Sequence, residues 1–526
     1  MKSVYRWVLV IAVLAAGSWL GYRLGNSATT PVNSAAPRLT ERATPRPEND
    51  RAFRTKIRER AREGYKPDHA AMNAGALTNQ RVLRFSDRAS LEAFLRSIEG
   101  TGVINLGRID SLNLLRVGFL NADQLAGLLG DDVEQEYIFP ANIPGSGTVQ
   151  EGALGFGTGF RQWLGIQGDQ AGWGEGIKIA VLDTGVGTND QFTNRIIQEQ
   201  LVELPADASQ QNGHGTAVAS IIASELGLAP DATILSYRIA DDQGSSNTFV
   251  LAQAIIEAAD AGVDLINISL GSRSHSPSLQ QAVEYAAAAG VVIVASSGND
   301  GYASVSYPAA YDQVVGVGAV DANGSHLDFS NSGEISLTAP GLALTSAWIE
   351  NQTVSFTGTS AAAPVVTGAL AAVMSTRNVT AASALEILTA QANDGGAPGY
   401  DPAYGSGYID LGRVQRQGTS DYTDLAVASN YFTVDAQRNP IVQVTVQNRG
   451  TTQIINAPVT VNTPSGLQQM NVTSLPPGGV TTFEIPLPNT GTDVTVQSTA
   501  RVSGGSVDQN VSNNVRVDVH PAAESP

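Results

Sequence analysis

The sequence predicts a three-layer α/β fold with a central parallel sheet, preceded by a small α+β unit and followed by an all-β sandwich. Between residues 151 and 417, short β-branched apolar runs alternate with alanine-rich helical stretches. This alternation is typical of parallel strands that helices cover on both faces. Residues 77–142 mix strand and helix patterns, and residues 421–520 have only short alternating strands. These three patterns of predicted secondary structure favour three folded units, each of a different fold class.

The chain begins with Lys2 and Arg6, followed by an apolar run at residues 7–22. Cations before such a run favour an N-terminus-inside orientation. Sixteen residues suit a signal-peptide core better than a membrane span. Small residues at 15–17 offer a cleavage point, but the apolar character continues beyond them. We expect residues 1–24 to be a signal peptide or a signal anchor. The protein is then exported to the periplasm, the cell surface or the medium.

The next two segments differ sharply in composition. Residues 25–76 are rich in Pro, Ala, Thr, Asn and Arg, which predicts a disordered linker. Residues 77–142 have the order strand, helix, strand, strand, helix, strand, which matches a ferredoxin-like topology. The strands are expected at 81–85, 103–106, 114–119 and 133–138, and the helices at 90–98 and 122–129.

The middle unit, residues 151–417, is predicted to contain the functional site. Its buried strands are expected at 177–182, 233–239, 265–270, 291–295 and 314–320, with crossover helices at 249–261 and 279–289. In parallel sheets of this kind, functional residues gather at the carboxyl ends of the strands.

The last unit, residues 421–520, is predicted to be an antiparallel sandwich. Its strands are expected at 441–446, 458–461, 481–485, 494–499 and 515–519. Gly, Pro, Asn and Ser separate these strands, as in many sandwich domains.

Composition excludes several classes of function. The chain has no cysteine, so thiol catalysis, cysteine-ligated metals and disulfides are ruled out. The net charge is −18, and residues 151–417 alone carry 8 basic against 26 acidic side chains. Such an acidic body repels phosphate backbones, so nucleic acid is not an expected partner.

Three segments of the middle unit place reactive side chains beside glycine. Asp183 ends a predicted strand, His214 stands between two glycines, and Ser360 precedes Pro364 at the start of an apolar helix. Taken singly, each has a structural interpretation: a turn-opening Asp, a structural His and a serine N-cap. The helix start has a second interpretation, because its free N–H groups favour an oxyanion formed beside the serine.

Together, in the order Asp, His, Ser, the segments resemble the signature blocks of the subtilisin-like serine protease family across residues 160–415. The resemblance implies that Ser360 is the nucleophile and His214 the general base and then acid. Asp183 would orient the imidazole. Asn299, which follows a buried strand, would donate its side-chain N–H to the oxyanion.

The resemblance also implies a substrate cleft. Relatives pair extended substrate with the segment that corresponds to Ser269, Leu270 and Gly271. The S1 pocket, which holds the side chain before the scissile bond, would be lined by Ser296, Ser297, Gly298 and Ser306. Asp300 at its mouth would modestly favour a basic or polar side chain.

The remaining expectations also come from the resemblance. Protein or peptide substrates are implied, with a monomeric enzyme, no cofactor and no catalytic metal. Many relatives insert a calcium loop where this chain has only residues 224–230, so no calcium is expected there, while calcium elsewhere stays open. Residues 77–142 resemble an inhibitory, chaperone-like propeptide, cut by the enzyme between about residues 140 and 156.

The C-terminal unit resembles a CARDB-type (Ig-like) adhesion-related domain. This leaves an alternative function of a different class. The chain would then be a catalytically inactive adhesion or scaffolding protein that acts through its sandwich.

Overall fold

A seven-stranded parallel sheet is the centre of the computed structural model, which describes residues 68–130, 132–192, 196–199, 212–489 and 492–520. The expected signal segment, residues 1–24, lies outside the described residues, as does the expected linker up to residue 67. The last part of that linker is structured. Helix α1 (His69–Asn73) forms there because the Asp68 carboxylate accepts hydrogen bonds from the N–H groups of Ala70 and Ala71.

The α+β unit has the predicted order of elements. They are β1 (Gln80–Arg84), α2 (Arg88–Ser97), β2 (Ile104–Ile109), β3 (Leu114–Gly118), α3 (Ala122–Leu128) and β4 (Glu134–Glu136). The four strands form an antiparallel sheet in the order β2-β3-β1-β4. A short strand, β5 (Pro140–Asn142), continues the chain toward the middle unit.

The middle unit opens with α4 (Phe160–Trp163), β6 (Lys178–Asp183), β7 (Ile196–Glu199), α5 (His214–Ala223), β8 (Thr233–Arg238) and β9 (Ser245–Asn247). It continues with α6 (Thr248–Asp260), β10 (Leu265–Ile268), α7 (Pro277–Ala288), β11 (Val292–Ser296), β12 (Val314–Val320) and β13 (Leu337–Pro340). It ends with β14 (Leu344–Ala347), β15 (Thr353–Phe356), α8 (Thr359–Arg377), α9 (Ala381–Ala390) and α10 (Leu411–Arg416).

The sheet order β13-β12-β11-β10-β6-β8-β7 explains where the reactive residues meet. All six strand pairs are parallel, so the carboxyl ends of the strands share one edge. Helices α5 and α8 pack on one face of the sheet, and α6 and α7 pack on the other. The three-layer prediction is therefore confirmed.

Helix α8 is the only one among the described residues that is long and apolar enough to cross a membrane. Its most apolar stretch is 89% buried inside the protein. It is the central helix of the α/β core.

The C-terminal unit consists of two antiparallel sheets, as predicted. Its strands are β16 (Leu425–Val434), β17 (Pro440–Asn448), β18 (Ile454–Thr463), β19 (Gly466–Leu475), β20 (Val480–Pro486), β21 (Val494–Ala500) and β22 (Val515–His520). One sheet has the order β16-β17-β20 and the other β19-β18-β21-β22. Apolar side chains from both sheets form one buried cluster.

The α+β unit packs on the face of the middle unit that α6 and α7 cover. Val82, Ile109, Leu114 and Ile138 belong to the same buried cluster as Phe249 of α6. Strand β5 pairs antiparallel with β9, so the chain leaves the α+β unit as a strand attached to the middle unit.

Candidate active site

Asp183 and His214 form a buried pair at the carboxyl edge of the sheet. Asp183 is the last residue of β6 and is fully buried, and His214 is the first residue of α5. His214 Nδ1 lies 2.8 Å from Asp183 Oδ1 and 3.0 Å from Oδ2. This arrangement fixes the ring by one nitrogen and leaves Nε2 as the nitrogen that can exchange a proton.

Thr184 ties the two segments together. Its backbone N–H donates to Asp183 Oδ1 at 2.7 Å, and its hydroxyl accepts from the N–H of Gly215 at 3.1 Å. A Cβ at Gly215 would stand 2.4 Å from the carbonyl oxygen of Gly185. The glycine after His214 is therefore required by the close approach of α5 to the turn that follows β6.

Ser360 is the second residue of α8 and is 2% exposed. Its hydroxyl donates to the carbonyl oxygen of Ser269 at 3.2 Å, and the Ser269 hydroxyl donates to the carbonyl oxygen of Ser360 at 3.2 Å. The second bond replaces a helical one, because Pro364 has no N–H to give to the Ser360 carbonyl. Among the described residues, no hydrogen bond joins Ser360 to His214.

The side chain of Asn299 lies against the start of α8. Its Oδ1 accepts from the backbone N–H of Thr359 at 2.9 Å and from the Thr359 hydroxyl at 2.8 Å. Gly358 has a φ of 135°, and a Cβ there would stand 2.7 Å from Asn299 Nδ2. The backbone N–H of Ser360 bonds to none of the described residues. Two donors, Asn299 Nδ2 and this N–H, are thus available beside the Ser360 hydroxyl.

The chain that leaves the α+β unit passes directly over these groups. Asn142 and Gly271 exchange two backbone hydrogen bonds of 2.9 Å each, and the N–H of Ile143 donates to the carbonyl oxygen of Gly244 at 2.9 Å. Three residues after Asn142, the carbonyl oxygen of Gly145 accepts from Asn299 Nδ2 at 3.0 Å. The segment therefore lies in the site as an extended strand, and its Gly145 carbonyl oxygen is hydrogen-bonded to the side-chain amide of Asn299.

Beyond Gly145 the chain is hydrogen-bonded to a different part of the middle unit. Gln150 Nε2 donates to the carbonyl oxygen of His326 at 2.9 Å, and the N–H of Leu154 donates to Asp321 Oδ2 at 3.0 Å. Contacts before and after Gly145 thus involve separate parts of the middle unit.

A cavity of about 310 Å³ lies beside this crossing strand. Among the residues expected to form the S1 pocket, Ser296, Gly298 and Ser306 line this cavity. The side chains of Ser297 and Leu270 face elsewhere; Leu270 was expected only as part of the segment that pairs with extended substrate, so its side chain does not test that expectation. The Ser297 hydroxyl donates to the carbonyl oxygen of Asn331 at 3.2 Å, and the Leu270 side chain belongs to the apolar core.

The mouth of this cavity carries an ion pair that the sequence analysis did not include. Arg273 Nη2 lies 2.8 Å from Asp300 Oδ1, and the guanidinium also lies over the Tyr302 ring. Hydrogen bonding to Asp300 raises the pKa of Arg273 further. Asp300 is thus paired with Arg273 in an exposed position, and its effect on the choice of substrate side chain stays a prediction.

Other functional residues were missed because nothing in the sequence marks them. Asn331 accepts from the N–H groups of Asp300 and Tyr302 at 3.0 Å each, and so shapes the loop beside the cavity. Phe356 packs edge-on against the His214 ring, with centroids 5.1 Å apart. Asn331 lies far from the motifs in sequence, whereas Phe356 lies shortly before Ser360, where no local pattern indicates its contact with the His214 ring.

The part of the chain that the structure describes contains no group of three or more His, Asp and Glu side chains that could hold a metal ion. The site is built only from Asp, His, Ser and amide groups. It can polarise a hydroxyl and stabilise an oxyanion, which are the requirements of acyl transfer.

Comparison with known proteins agrees with this chemistry. A family model described as the Subtilase family matches residues 174–407. Subtilisin Savinase of Lederbergia lenta is 37% identical over 252 residues, which is 46% of this chain and 92% of that protein. An alkaline protease of Alkalihalobacillus alcalophilus is 37% identical over 252 residues, 46% of this chain and 65% of that protein. A thermophilic serine proteinase of Bacillus sp. (strain AK1) is 33% identical over 326 residues, 58% of this chain and 80% of that protein.

Proposed function

The chain belongs to the subtilase family of serine endopeptidases, and from this we propose that it cleaves proteins through Asp183, His214 and Ser360 after removing its own propeptide. The observation that carries the proposal is the hydrogen bond of 3.0 Å from Asn299 Nδ2 to the backbone carbonyl oxygen of Gly145. This is the contact that an oxyanion-hole donor makes with a scissile carbonyl. The extended strand before Gly145 supports the same interpretation.

The proposed chemistry assigns one task to each side chain. The Ser360 oxygen attacks the scissile carbonyl carbon while its proton passes to His214 Nε2. Asp183 holds the opposite ring nitrogen and stabilises the imidazolium that forms. The same proton then passes to the leaving amine, and water releases the acyl group in a second round. Because the Ser360 hydroxyl donates to the Ser269 carbonyl in the structure, it must rotate toward His214 at the start of the reaction. Such contacts often tighten only when substrate is positioned.

The first substrate is proposed to be the enzyme's own chain, at the bond between Gly145 and Ser146. This position lies within the expected window of residues 140–156. Residues 77–142 would then act as the inhibitory propeptide, residues 151–417 as the catalytic domain and residues 421–520 as an appended sandwich domain. The proposed partners of the mature enzyme are protein substrates, with no cofactor and no catalytic metal. The apolar run at residues 7–22 supports export, either as a signal peptide or as an anchor.

The test compares the wild type with Ser360→Ala. The wild type should shorten itself, and N-terminal sequencing of the product should begin at Ser146. It should react with a serine-directed fluorophosphonate and hydrolyse casein. Ser360→Ala should stay full length and unlabelled, whereas Ser355→Ala, which lies outside the site, should behave as the wild type. If the wild type itself stays full length and unlabelled, the scaffolding alternative is correct.

A further inference from the structure

A second and larger cavity lies between the α/β unit and the sandwich. Its volume is about 760 Å³, against about 310 Å³ for the cavity beside Ser306. Gln167 and Arg416 line it from one side, and Arg449, Asn513 and Arg516 line it from the other. Small-ligand sites commonly have volumes of about 300–1,000 Å³ and often lie between domains.

Positive charge is concentrated around this cavity in a protein that has little of it. From Ser146 onward the chain carries 12 basic and 34 acidic side chains. Arg416, Arg449 and Arg516 line the cavity together with the carboxylates of Asp410 and Asp518, and Arg413 lies next to them. Burial lowers the pKa of Arg413 to about 10, and Arg449 and Arg416 act in the same sense, whereas Asp410 and Asp424 act in the opposite sense. The arginines thus gather in one place although they repel one another.

Two of these cations lack a carboxylate partner. Arg516 is paired, with Nε 2.8 Å from Asp518 Oδ2. Arg449 instead donates to the Tyr408 hydroxyl at 2.7 Å and to Gln447 Oε1 at 3.2 Å. Arg416 lies over the Tyr422 ring at 4.2 Å. Neither Arg416 nor Arg449 forms an ion pair with any described residue.

The cavity wall also contains buried polar atoms that no described group satisfies. Arg416 Nε is buried and has no hydrogen-bond partner among the described residues, and the same holds for Asn513 Oδ1. Both residues line the cavity. Buried donors and acceptors are costly when unpaired, so their presence points to a ligand or to water that completes the site.

We propose that this cavity binds a small anion that carries two or more carboxylate or phosphate groups. A guanidinium presents a planar fork of donors that matches both groups. Arg416 and Arg449 come from opposite walls, so a ligand with two anionic groups can engage both. A neutral sugar fits less well. The Tyr422 ring is already in contact with Arg416 and the Trp163 ring with Tyr408, which leaves fewer aromatic faces for stacking on a sugar.

The proposal is tested on full-length Ser360→Ala protein, which cannot digest itself under the proposed function. Citrate and pyrophosphate are titrated separately by calorimetry at constant ionic strength, with acetate as the singly charged control. We expect saturable binding of one molecule per chain for citrate, pyrophosphate or both, and no saturable binding of acetate. Binding of citrate alone identifies a carboxylate site, and binding of pyrophosphate alone identifies a phosphate site.

Three variants decide whether the cavity is responsible. Arg416→Gln and Arg449→Gln should weaken binding at least about tenfold, as expected when one charged hydrogen-bonding partner is lost. Arg501→Gln removes the same charge from an exposed position of the sandwich and should leave the affinity within about twofold.

A fourth variant keeps the test valid if the arginine variants fail to fold. Gln167→Glu adds a carboxylate to the wall, and the Gln167 side chain makes no hydrogen bond to any described residue. It should weaken anion binding severalfold while the melting temperature stays within a few degrees. If neither anion binds up to about 10 mM, or if Arg501→Gln and Arg449→Gln reduce binding equally, the proposal is wrong. The arginines then serve only to hold the two units together.

Discussion

Asn299 uses both ends of its side-chain amide, and this divides its role into anchoring and donation. The oxygen accepts two hydrogen bonds from Thr359, and the nitrogen donates to the Gly145 carbonyl. The anchoring bonds hold the donor at a fixed distance from the start of α8. Such preorganised donors stabilise an oxyanion without having to reorient during the reaction.

Replacing Asn299 by Ala should lower kcat by a factor of about 10²–10³ with little change in KM, because an oxyanion donor acts mainly in the transition state. Steady-state hydrolysis of a chromogenic peptide by the processed enzyme measures both constants. Thr359→Val is the matched control, since it removes the hydroxyl that anchors Asn299 but keeps the donor. A loss of kcat in Thr359→Val as large as in Asn299→Ala would show that anchoring alone accounts for the effect.

Asp394 predicts a pH dependence of stability. Burial raises the pKa of this carboxyl to about 6, with a smaller contribution from the nearby Asp401, while the N–H of Gly399 acts in the opposite sense. A raised carboxyl pKa means that stability is fully present below its ordinary value near 4 and is lost as pH rises through 6. Asp394→Asn keeps an acceptor for Gly399 and cannot ionise.

In the Ser360→Ala background, Asp394→Asn should increase the free energy of unfolding by about 1–3 kcal/mol near pH 8 and have little effect near pH 4. Thermal unfolding across this pH range measures the difference. Parallel pH profiles for the two proteins would contradict the expected ionisation.

The sequence marks the candidate catalytic residues more clearly than it marks their surroundings. Asp183, His214 and Ser360 each lie close to a glycine in sequence. The structure explains the glycine at 215, because the backbone there lies close to the carbonyl oxygen of Gly185. Arg273 does not belong to a recognisable sequence motif, so its pairing with Asp300 could not be predicted. The contact of Asn299 with Gly145 also joins residues 154 positions apart, which no local pattern encodes.

At the level of elements, the α+β unit is fastened to the N-terminus of α7 by one carboxylate. Glu136 Oε1 accepts from the hydroxyls of Ser276 and Ser278 at 2.6 and 3.0 Å, and Oε2 accepts from the N–H of Ser278 at 3.0 Å. Free N–H groups and the helix dipole favour an anion at this end of a helix. Glu136 therefore links the proposed propeptide to the catalytic unit beyond the apolar contact.

Glu136→Ala should shorten the lag between self-cleavage and full activity by about tenfold or more, since hydrogen bonds to a charged group contribute about 1.5–3 kcal/mol. Gel electrophoresis measures the time course of cleavage, peptide hydrolysis measures the time course of activity, and the lag is the difference between them. Glu134→Ala is the control, because that side chain is largely exposed and pairs within the α+β unit, with Arg84. Equal lags for the wild type and Glu136→Ala would show that this contact does not hold the propeptide.

Several strands were not predicted from the sequence, and three of them illustrate different physical reasons. Strand β16 is buried at six consecutive positions, so it lacks the alternation that marked its neighbours. Strand β19 is the reverse case, being mostly exposed and rich in Gln and Asn. Strand β13 has only four residues. Periodicity identifies half-buried strands of ordinary length, and these three are not of that kind.

At the scale of the whole molecule, the sandwich is bonded to the α/β unit through buried polar groups. Besides the bond between Arg449 and Tyr408, the N–H of Asp394 donates to Gln447 Oε1 at 3.1 Å, and the Ser429 hydroxyl donates to the carbonyl oxygen of Gly396 at 2.8 Å. These contacts couple the stability of the two units.

Calorimetry of the Ser360→Ala protein should therefore show one cooperative transition for the two units. Tyr408→Phe removes one acceptor of Arg449 and should lower the melting temperature by a few degrees, as expected for a loss of about 1–2 kcal/mol in a protein of this size. Tyr400→Phe is the control at an exposed ring. Two separate transitions in the parent protein would contradict the coupling.

The acidic surface predicts tolerance of salt. From Ser146 onward the net charge is −22, with Lys178 as the only lysine. Salt screens repulsion among exposed charges, while the Asp183–His214 pair is buried and little affected. We expect kcat/KM for an uncharged peptide to change less than about twofold between about 0.1 and 1 M sodium chloride. A fall of tenfold or more would contradict this.

Under the proposed self-processing, the separate contacts that hold the chain before and after Gly145 would make activation depend on volume. Before the proposed cut, the inhibitory strand and the site belong to one molecule, at an effective concentration on the order of mM. After the cut, Ser146 and the residues behind it remain bonded near His326 and Asp321, whereas the α+β unit is held by reversible contacts alone. The fraction of active sites that the cleaved α+β unit occupies then depends on the concentrations of the two parts. Under the proposed function, a crowded compartment would keep the enzyme inactive, and dilution into a large exterior volume would release its activity.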